Sequence, residues 1–342
     1  MTRLSIVTTH PIQYNAPLFR LLTQRGRIEP NVFYTWPQGV GAKYDPDFSR
    51  EVDWDQPLLE GYSSSFVENT STDPGSHHYR GIVSPALVEK VLATDPAAIL
   101  VYGWKFQSHL SLMRTLKGRR PILFRGDSHL LDEQPGWRAS ARRMTLRWVY
   151  RYVDHALYCG LNNRDYFSAH GLEDSQLSFM PHCVDNNFFG SDDEVRALQA
   201  LEQRRSLGIG DGQIVLSFFG KFISKKNPEL LLEAFRNLPE SIQNKLTLLF
   251  VGSGQLEGQL KHLVGQQTPG KVVFLPFQNQ SELRIVYRMG DVLVLPSKGP
   301  GETWGLAVNE AMASSRPVLV SNRVGCARDL VEDRGSGWMF DF

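Results

Sequence analysis

Short apolar runs rich in β-branched residues alternate with longer helix-like segments along most of the chain, and they do so in two successive sets. In the first half the strand-like runs are residues 4–8, 31–35, 98–102, 121–124, 155–158 and 177–180, with helix-like segments at 17–24, 87–92, 108–116 and 139–153. In the second half the strand-like runs are 214–219, 246–251, 272–275, 292–295 and 317–320, separated by helix-like segments at 228–237, 256–264, 281–288 and 306–313. Such alternation implies parallel sheets covered on both faces. Two sets in 342 residues predict an α/β chain of two Rossmann-like, doubly wound domains facing across a cleft.

The boundary falls in the stretch 185–212, where a polar turn, a charged helix over 194–205 and a Gly/Asp loop follow one another. Domains over 1–186 and 187–342 are therefore expected. Residues 37–76, rich in Gly, Asp, Ser and aromatics with weak periodicity, read as an inserted loop region over the N-terminal domain.

Composition excludes several classes. A formal net charge of +1 argues against nucleic acid as the main partner. No apolar run reaches the ~18 residues that span a bilayer. Three dispersed cysteines, Cys159, Cys183 and Cys326, have no metal-ligand spacing and suggest a reducing, cytoplasmic setting.

The chemistry concentrates at strand ends of the second half. Pro296-Ser297-Lys298-Gly299-Pro300-Gly301-Glu302-Thr303-Trp304-Gly305 leads from a strand into a helix starting near Gly305 and Leu306. A helix N-terminus presents unpaired N–H groups and partial positive charge, which suits a diphosphate. Glu310, on the second turn, leans back toward that end and could accept both hydroxyls of a ribose. Glu302 could meet hydroxyls of a transferred sugar; two solvated glutamates are the alternative. After the first strand of this half comes Gly220-Lys221-Phe222-Ile223-Ser224-Lys225-Lys226. Lys221 and Lys226 could neutralise a diphosphate, or form a solvated basic loop. Gly252-Ser253-Gly254 follows the next strand. Three strand-end loops of one domain thus offer phosphate-compatible chemistry.

The pair Glu302 and Glu310 within Pro-Ser…Glu-x-Trp-Gly…Glu-Ala-Met-Ala, followed by Arg316-Pro317-Val318, resembles glycosyltransferase family 4. The resemblance extends over the second half through Gly220-Lys221…Lys226, Val251-Gly252-Ser253-Gly254, Leu275-Pro276-Phe277, Asp291 and Leu295-Pro296-Ser297. It implies a GT-B fold and a retaining, metal-independent transfer of sugar from a nucleotide diphosphate donor. Lys221 and Lys226 then stand where the family binds the diphosphate, Lys221 replacing the commoner Arg and losing its planar fork. Trp304 replaces the commoner Phe, and Glu302 and Glu310 match the sugar-side and ribose-side carboxylates. Gly220, Gly252, Gly254, Thr303, Trp304, Gly305 and Leu306 complete the expected donor site.

The first half matches less specifically. Thr9-His10-Pro11-Ile12-Gln13-Tyr14 fills the first strand-to-helix loop and resembles the opening of a subset of the family. His10, Gln13 and Tyr14 are acceptor-side candidates there; a turn at Pro11 with Tyr14 buried is the alternative. Phe124-Arg125-Gly126-Asp127-Ser128-His129 ends another strand near where the family places a histidine. In this register Asp127 stands closest, so it joins Glu302 and Lys226 as a catalytic candidate, with Arg125 and His129 beside it. An Arg125–Asp127 ion pair of purely structural role is equally compatible. Trp104 either lines the same site or packs. The acceptor could be a glycan, a lipid-linked sugar or a small molecule.

Other signals point elsewhere. Asp45-Pro46-Asp47 has the Asp-x-Asp spacing of metal-dependent transferases, but its Pro suggests a turn, and no metal or other cofactor is expected. Gly252-x-Gly254 follows a strand as in dinucleotide enzymes, yet no acidic residue stands ~20 positions later at a strand end. An NAD(P)-dependent oxidoreductase is therefore the weaker enzymatic alternative, and a silent nucleotide- or sugar-binding module the non-catalytic one. Arg143, Arg147 and Arg151 form one stripe on the helix 139–153, near Trp137 and Trp148. They predict either contact with anionic lipid or a solvated basic face. The chain stops after the strand-like Trp338-Met339-Phe340, where the family continues into further helices, so missing helical cover and self-association are expected.

Overall fold

The computed structural model describes residues 1–37, 41–191, 193–265, 270–332 and 334–342. Part of the expected inserted region, 38–40, and residue 192 of the expected boundary stretch lie outside them. The chain divides into two compact units, Met1–Gly41 with Pro57–Pro181, and Ala42–Gln56 with His182–Phe342.

The first unit is built on seven parallel strands: β1 (Thr2–Thr8), β2 (Ile28–Tyr34), β5 (Ser63–Phe66), β6 (Ala98–Tyr102), β7 (Ile122–Arg125), β8 (His155–Tyr158) and β9 (Leu177–Phe179). They lie in the order β5-β2-β1-β6-β7-β8-β9. Helices α1 (Asn15–Gln24), α2 (Leu87–Ala93), α3 (Gln107–Leu116), α4 (Trp137–Tyr150) and α5 (Leu161–Ala169) carry the connections. Ile99, Val101, Ile122, Phe124 and Ala156 on the strands are sealed from water by Leu112, Met113 and Leu116 of α3 and by Leu146 and Val149 of α4. Sheet positions buried on both faces explain why these strands read as near-continuous apolar runs.

The second unit has the hairpin β3 (Lys43–Asp45) and β4 (Arg50–Val52) and a six-stranded parallel sheet. The sheet comprises β10 (Ile214–Phe219), β11 (Leu246–Val251), β12 (Lys271–Leu275), β13 (Val292–Leu295), β14 (Val318–Ser321) and β15 (Gly337–Phe340), ordered β12-β11-β10-β13-β14-β15. Its helices are α6 (Asn186–Gly190), α7 (Asp193–Ser206), α8 (Pro228–Arg236), α9 (Glu240–Gln243), α10 (Glu257–Gly265), α11 (Gln280–Met289), α12 (Leu306–Ala313) and α13 (Ala327–Leu330). Asp291 ties the layers together: its Oδ2 accepts the Val215 amide of β10 at 2.7 Å and the guanidinium of Arg204 on α7.

In both sheets the strand order reverses direction beside the first strand, between β1 and β6 and between β10 and β13. Loops leaving adjacent strands toward opposite faces open a crevice at such a point, and that is where open α/β sheets bind ligands.

The residues 42–56 depart from the sequence reading, which set them over the N-terminal domain and placed the single boundary after residue 186. They pair as a hairpin and pack with the second unit, whose main body begins at His182. The partners of these residues lie more than 170 positions away, so no local pattern could reveal them. Asp45-Pro46-Asp47 does form a turn: Asp45 Oδ1 accepts the amides of Asp47 at 2.9 Å and Phe48 at 3.1 Å. Among the described residues, no helix is long and apolar enough to cross a membrane.

Candidate functional site

In the second unit the loops leaving β10, β11 and β13 are stitched to one another by their backbones. The Lys298 amide donates to the Lys225 carbonyl at 2.9 Å, and the Phe222 amide donates to the Ser253 carbonyl at 2.8 Å. Lys225 Nζ reaches the Gly301 carbonyl at 3.2 Å. Gly252, at φ +143°, sits where an added Cβ would lie 2.0 Å from the Gly220 carbonyl oxygen, so only glycine lets the two loops approach this closely.

This stitching brings Lys226 and Glu302 together. Lys226 Nζ stands 2.7 Å from Glu302 Oε2, with the two side chains 15% and 7% exposed. The same carboxylate oxygen accepts the Ser297 hydroxyl at 3.0 Å. The backbone after Glu302 is held from the far side: the Gly325 amide donates to the Glu302 carbonyl at 3.1 Å, and the Cys326 amide to the Trp304 carbonyl at 2.9 Å. Gly305 then enters α12 in the left-handed region at φ +95°. Burial pushes the Cys326 thiol upward, with Glu302 adding to the shift, so this cysteine stays protonated and unreactive.

Glu310 is buried on the second turn of α12 and accepts the Tyr287 hydroxyl at 2.6 Å. Tyr287, on α11, stacks on Phe219 at the end of β10 with ring centroids 3.9 Å apart. A ring fixed on the sheet thus aims the hydroxyl that orients the carboxylate. Sequence reasoning passed over Tyr287 because an aromatic on a helix reads as core.

Lys221 has other company. Its Nζ lies 3.2 and 3.1 Å from the two oxygens of Asp45 and 3.1 Å from Asp47 Oδ2. The ammonium also stands 5.0 Å from the centre of the Phe48 ring. Trp304 is buried: its indole N–H donates to Asn309 Oδ1 at 2.8 Å and its ring packs on His182. Thr303 and Leu306 are half-buried beside it.

The first-unit candidates lie at strand ends. His10, Gln13 and Tyr14 follow β1, all half-buried, with His10 Nδ1 at 2.9 Å from the Thr9 hydroxyl. Trp104 follows β6 and packs partly against the unit's core. These two loops flank the switch point of the first sheet. Asp127 is exposed after β7. Arg125 is buried and donates to the carbonyls of Met180 at 2.5 Å and Pro181 at 3.3 Å, a strut between β7 and the chain after β9. The His129 side chain is 3% exposed and its Nδ1 accepts the Leu131 amide at 3.2 Å. Sequence reasoning found no metal-ligating set; the structure gathers Asp73, His77 and His78, whose ligand atoms lie within 4.8 Å of one another.

Fold and site together define a chain of the GT-B class, two Rossmann-like α/β units. Solved structures over its whole length share that fold. HepE of Anabaena, solved in complex with UDP, has a TM-score of 0.68 at 19% identity, covering 100% of this chain and 86% of that one. A glycosyltransferase of Rickettsia africae has a TM-score of 0.69 at 10% identity, covering 99% and 84%.

Residues 199–342 match the family of glycosyl transferases group 1. An uncharacterized glycosyltransferase of Methanocaldococcus jannaschii is 34% identical over 139 residues, 40% of this chain and 34% of that protein. The D-inositol 3-phosphate glycosyltransferase of Geodermatophilus obscurus is 32% identical over 183 residues, 51% of this chain and 39% of that protein. The chain thus matches little more than a third of the length of these curated relatives.

Proposed function

We propose that this chain transfers a glycosyl group from a nucleoside diphosphate donor to an acceptor hydroxyl, with retention at the anomeric carbon and without a metal. The observation that carries the reading is the Lys226–Glu302 pair at the head of α12, in the crevice of the second sheet. The match of residues 199–342 to glycosyl transferases group 1 supports it, as does the UDP held by the similarly folded HepE.

In this reading the bond from the anomeric carbon to the diphosphate breaks while the acceptor oxygen bonds to that carbon, and the acceptor proton passes to the leaving phosphate. Lys226, Lys221 and the positive end of the α12 dipole stabilise the charge that grows on the diphosphate. Glu310, oriented by Tyr287, holds the ribose hydroxyls, and Glu302 the hydroxyls of the sugar. The acceptor is recognised mainly by the first unit, with His10, Gln13, Tyr14 and Trp104 at its switch point and Asp127 as the acceptor-side carboxylate.

A panel of nucleoside diphosphates is expected to contain at least one that raises the melting temperature, as any ligand selective for the native state must. The matching sugar nucleotide should then turn over in the presence of EDTA, and NMR of the product should show the donor's anomeric configuration. Stabilisation without turnover on any acceptor leaves a binding module, and a requirement for added metal removes the metal-free mechanism.

The chain is also proposed to work at the cytoplasmic face of an anionic membrane. On α4, Trp137 and Met144 are 77% and 71% exposed, and Arg147 and Trp148 share the exposed surface. Arg143 is held by Glu133 at 2.6 Å. Aromatic and basic side chains so arranged insert at a headgroup boundary. Binding to phosphatidylserine vesicles at low salt should fall when Trp137 and Arg147 are changed to Glu; equal binding of both proteins would sink the idea.

A further inference from the structure

The expected cation of the donor cradle, Lys221, is already engaged by two carboxylates of the chain's own hairpin. We infer that the acidic tip between β3 and β4 is an internal competitor for the diphosphate, displaced when donor binds; this rests on the donor reading of the second unit.

Charge counting gives the first reason. Lys226 faces one carboxylate in a nearly buried pair, whereas Lys221 faces both Asp45 and Asp47 within 3.2 Å. Two carboxylates on one ammonium leave an unbalanced negative charge, and they repel each other. A diphosphate presents the same array of oxygens to the same cation. It cannot share the cradle with two carboxylates without further repulsion, so one anion must leave.

The second reason is that the tip can let go without the hairpin falling away. Its anchors are elsewhere. The Ser253 hydroxyl donates to the Phe48 carbonyl at 2.8 Å, and Phe48 packs edge-on to Phe277 with centroids 4.9 Å apart. Trp54 packs on the same ring at 5.9 Å. Asp55 Oδ2 accepts the Ser281 amide at 2.9 Å at the start of α11. These contacts fasten the hairpin to the loops after β11 and β12, leaving the carboxylates over the loop after β10. The side chains of Asp45 and Asp47 are 33% and 50% exposed, so water can replace Lys221 as their partner.

Asp45 also shapes the turn through its bonds to the Asp47 and Phe48 amides, but among the described residues no such bond involves the Asp47 carboxylate. Asp47→Asn therefore probes the competition without undoing the turn. The variant is expected to bind UDP and inorganic pyrophosphate about threefold more tightly than the unaltered chain, because an exposed ion pair of modest strength no longer opposes them. Affinity for uridine, which lacks phosphate, should not change. Hydrogen exchange gives a second reading: pyrophosphate should speed exchange at the Asp47 and Phe48 amides and leave Ser281 protected.

Unchanged or weaker binding of UDP by Asp47→Asn, with the unaltered chain binding normally, overturns the inference and leaves the donor reading intact. If neither protein binds any nucleoside diphosphate, the donor reading falls and the competitor with it.

Discussion

Lys226→Ala is expected to cost the second unit about 3 kcal/mol of stability and to lower glycosyl transfer at least about a hundredfold. The two losses have different origins. Glu302 is 7% exposed, and when the ammonium 2.7 Å away is removed its charge still stays out of water. A buried carboxylate stripped of its cation is destabilising by more than the pair was ever stabilising. In the proposed mechanism, transfer suffers because the charge is needed most as the diphosphate departs. A second change separates these effects. Adding Glu302→Gln to Lys226→Ala removes the stranded charge, keeps the shape and should recover most of the stability, while turnover stays lost. Urea denaturation of the three proteins, read beside their rates, makes the comparison. If Lys226→Ala unfolds at the same urea concentration as the unaltered chain, the pair carries no buried-charge penalty, and the cradle is looser than its distances suggest.

Much of this cradle was visible in the residues because it is local. Strand, glycine-bearing loop and helix follow one another within 292–313, and a 3.6-residue period aims Glu310 back toward the helix start. The sheets were equally legible, since parallel strands buried on both faces must be apolar from end to end, and the bounds of β6, β8, β10, β11 and β13 coincide with the apolar runs. The strands β5 and β3 were not legible. β5 reads Ser-Ser-Ser-Phe, an edge strand that needs little apolar surface, and β3 is drawn into place by Lys221 and Phe277 far along the chain.

Charged and aromatic residues at strand ends were the least decidable. Arg125, Trp304 and His129 have the types and positions that a ligand site would use. In the structure each side chain is buried with a partner in the chain itself: carbonyls, an asparagine oxygen and an amide. A sequence displays which groups can donate or accept but not which way they point, and at the ends of buried strands the backbone competes with any ligand for every donor. The same limit hid Tyr287, whose hydroxyl reaches Glu310 with its ring stacked on Phe219.

The first unit should lose about 3 kcal/mol of stability as pH falls from about 6.5 to about 4, through a single histidine. His109 lies on α3, completely buried. Its Nδ1–H donates to the carbonyls of Tyr102 at 3.2 Å and Gly103 at 3.1 Å, and Nε2 stands 3.0 Å from the Thr35 hydroxyl. Loss of hydration on burial lowers its pKa from 6.5 to about 4, against the opposing pull of the two carbonyls. Between those values the unfolded chain binds a proton that the folded chain refuses, so stability rises with pH across this window and is flat on either side of it. The consequence reaches the candidate acceptor side, because His109 ties together the chain after β2, which leads to Trp36, and the chain after β6, which leads to Trp104. Acid should therefore loosen those two loops before it unfolds the sheet. His109→Asn keeps a donor near the position of Nδ1 and cannot titrate. Its urea midpoint, measured at intervals from pH 7.5 to 4, should lack the component of slope that the unaltered chain shows between about 6.5 and about 4. Parallel pH profiles for the two proteins would mean that other groups carry the acid sensitivity and that His109 accepts its proton where it stands.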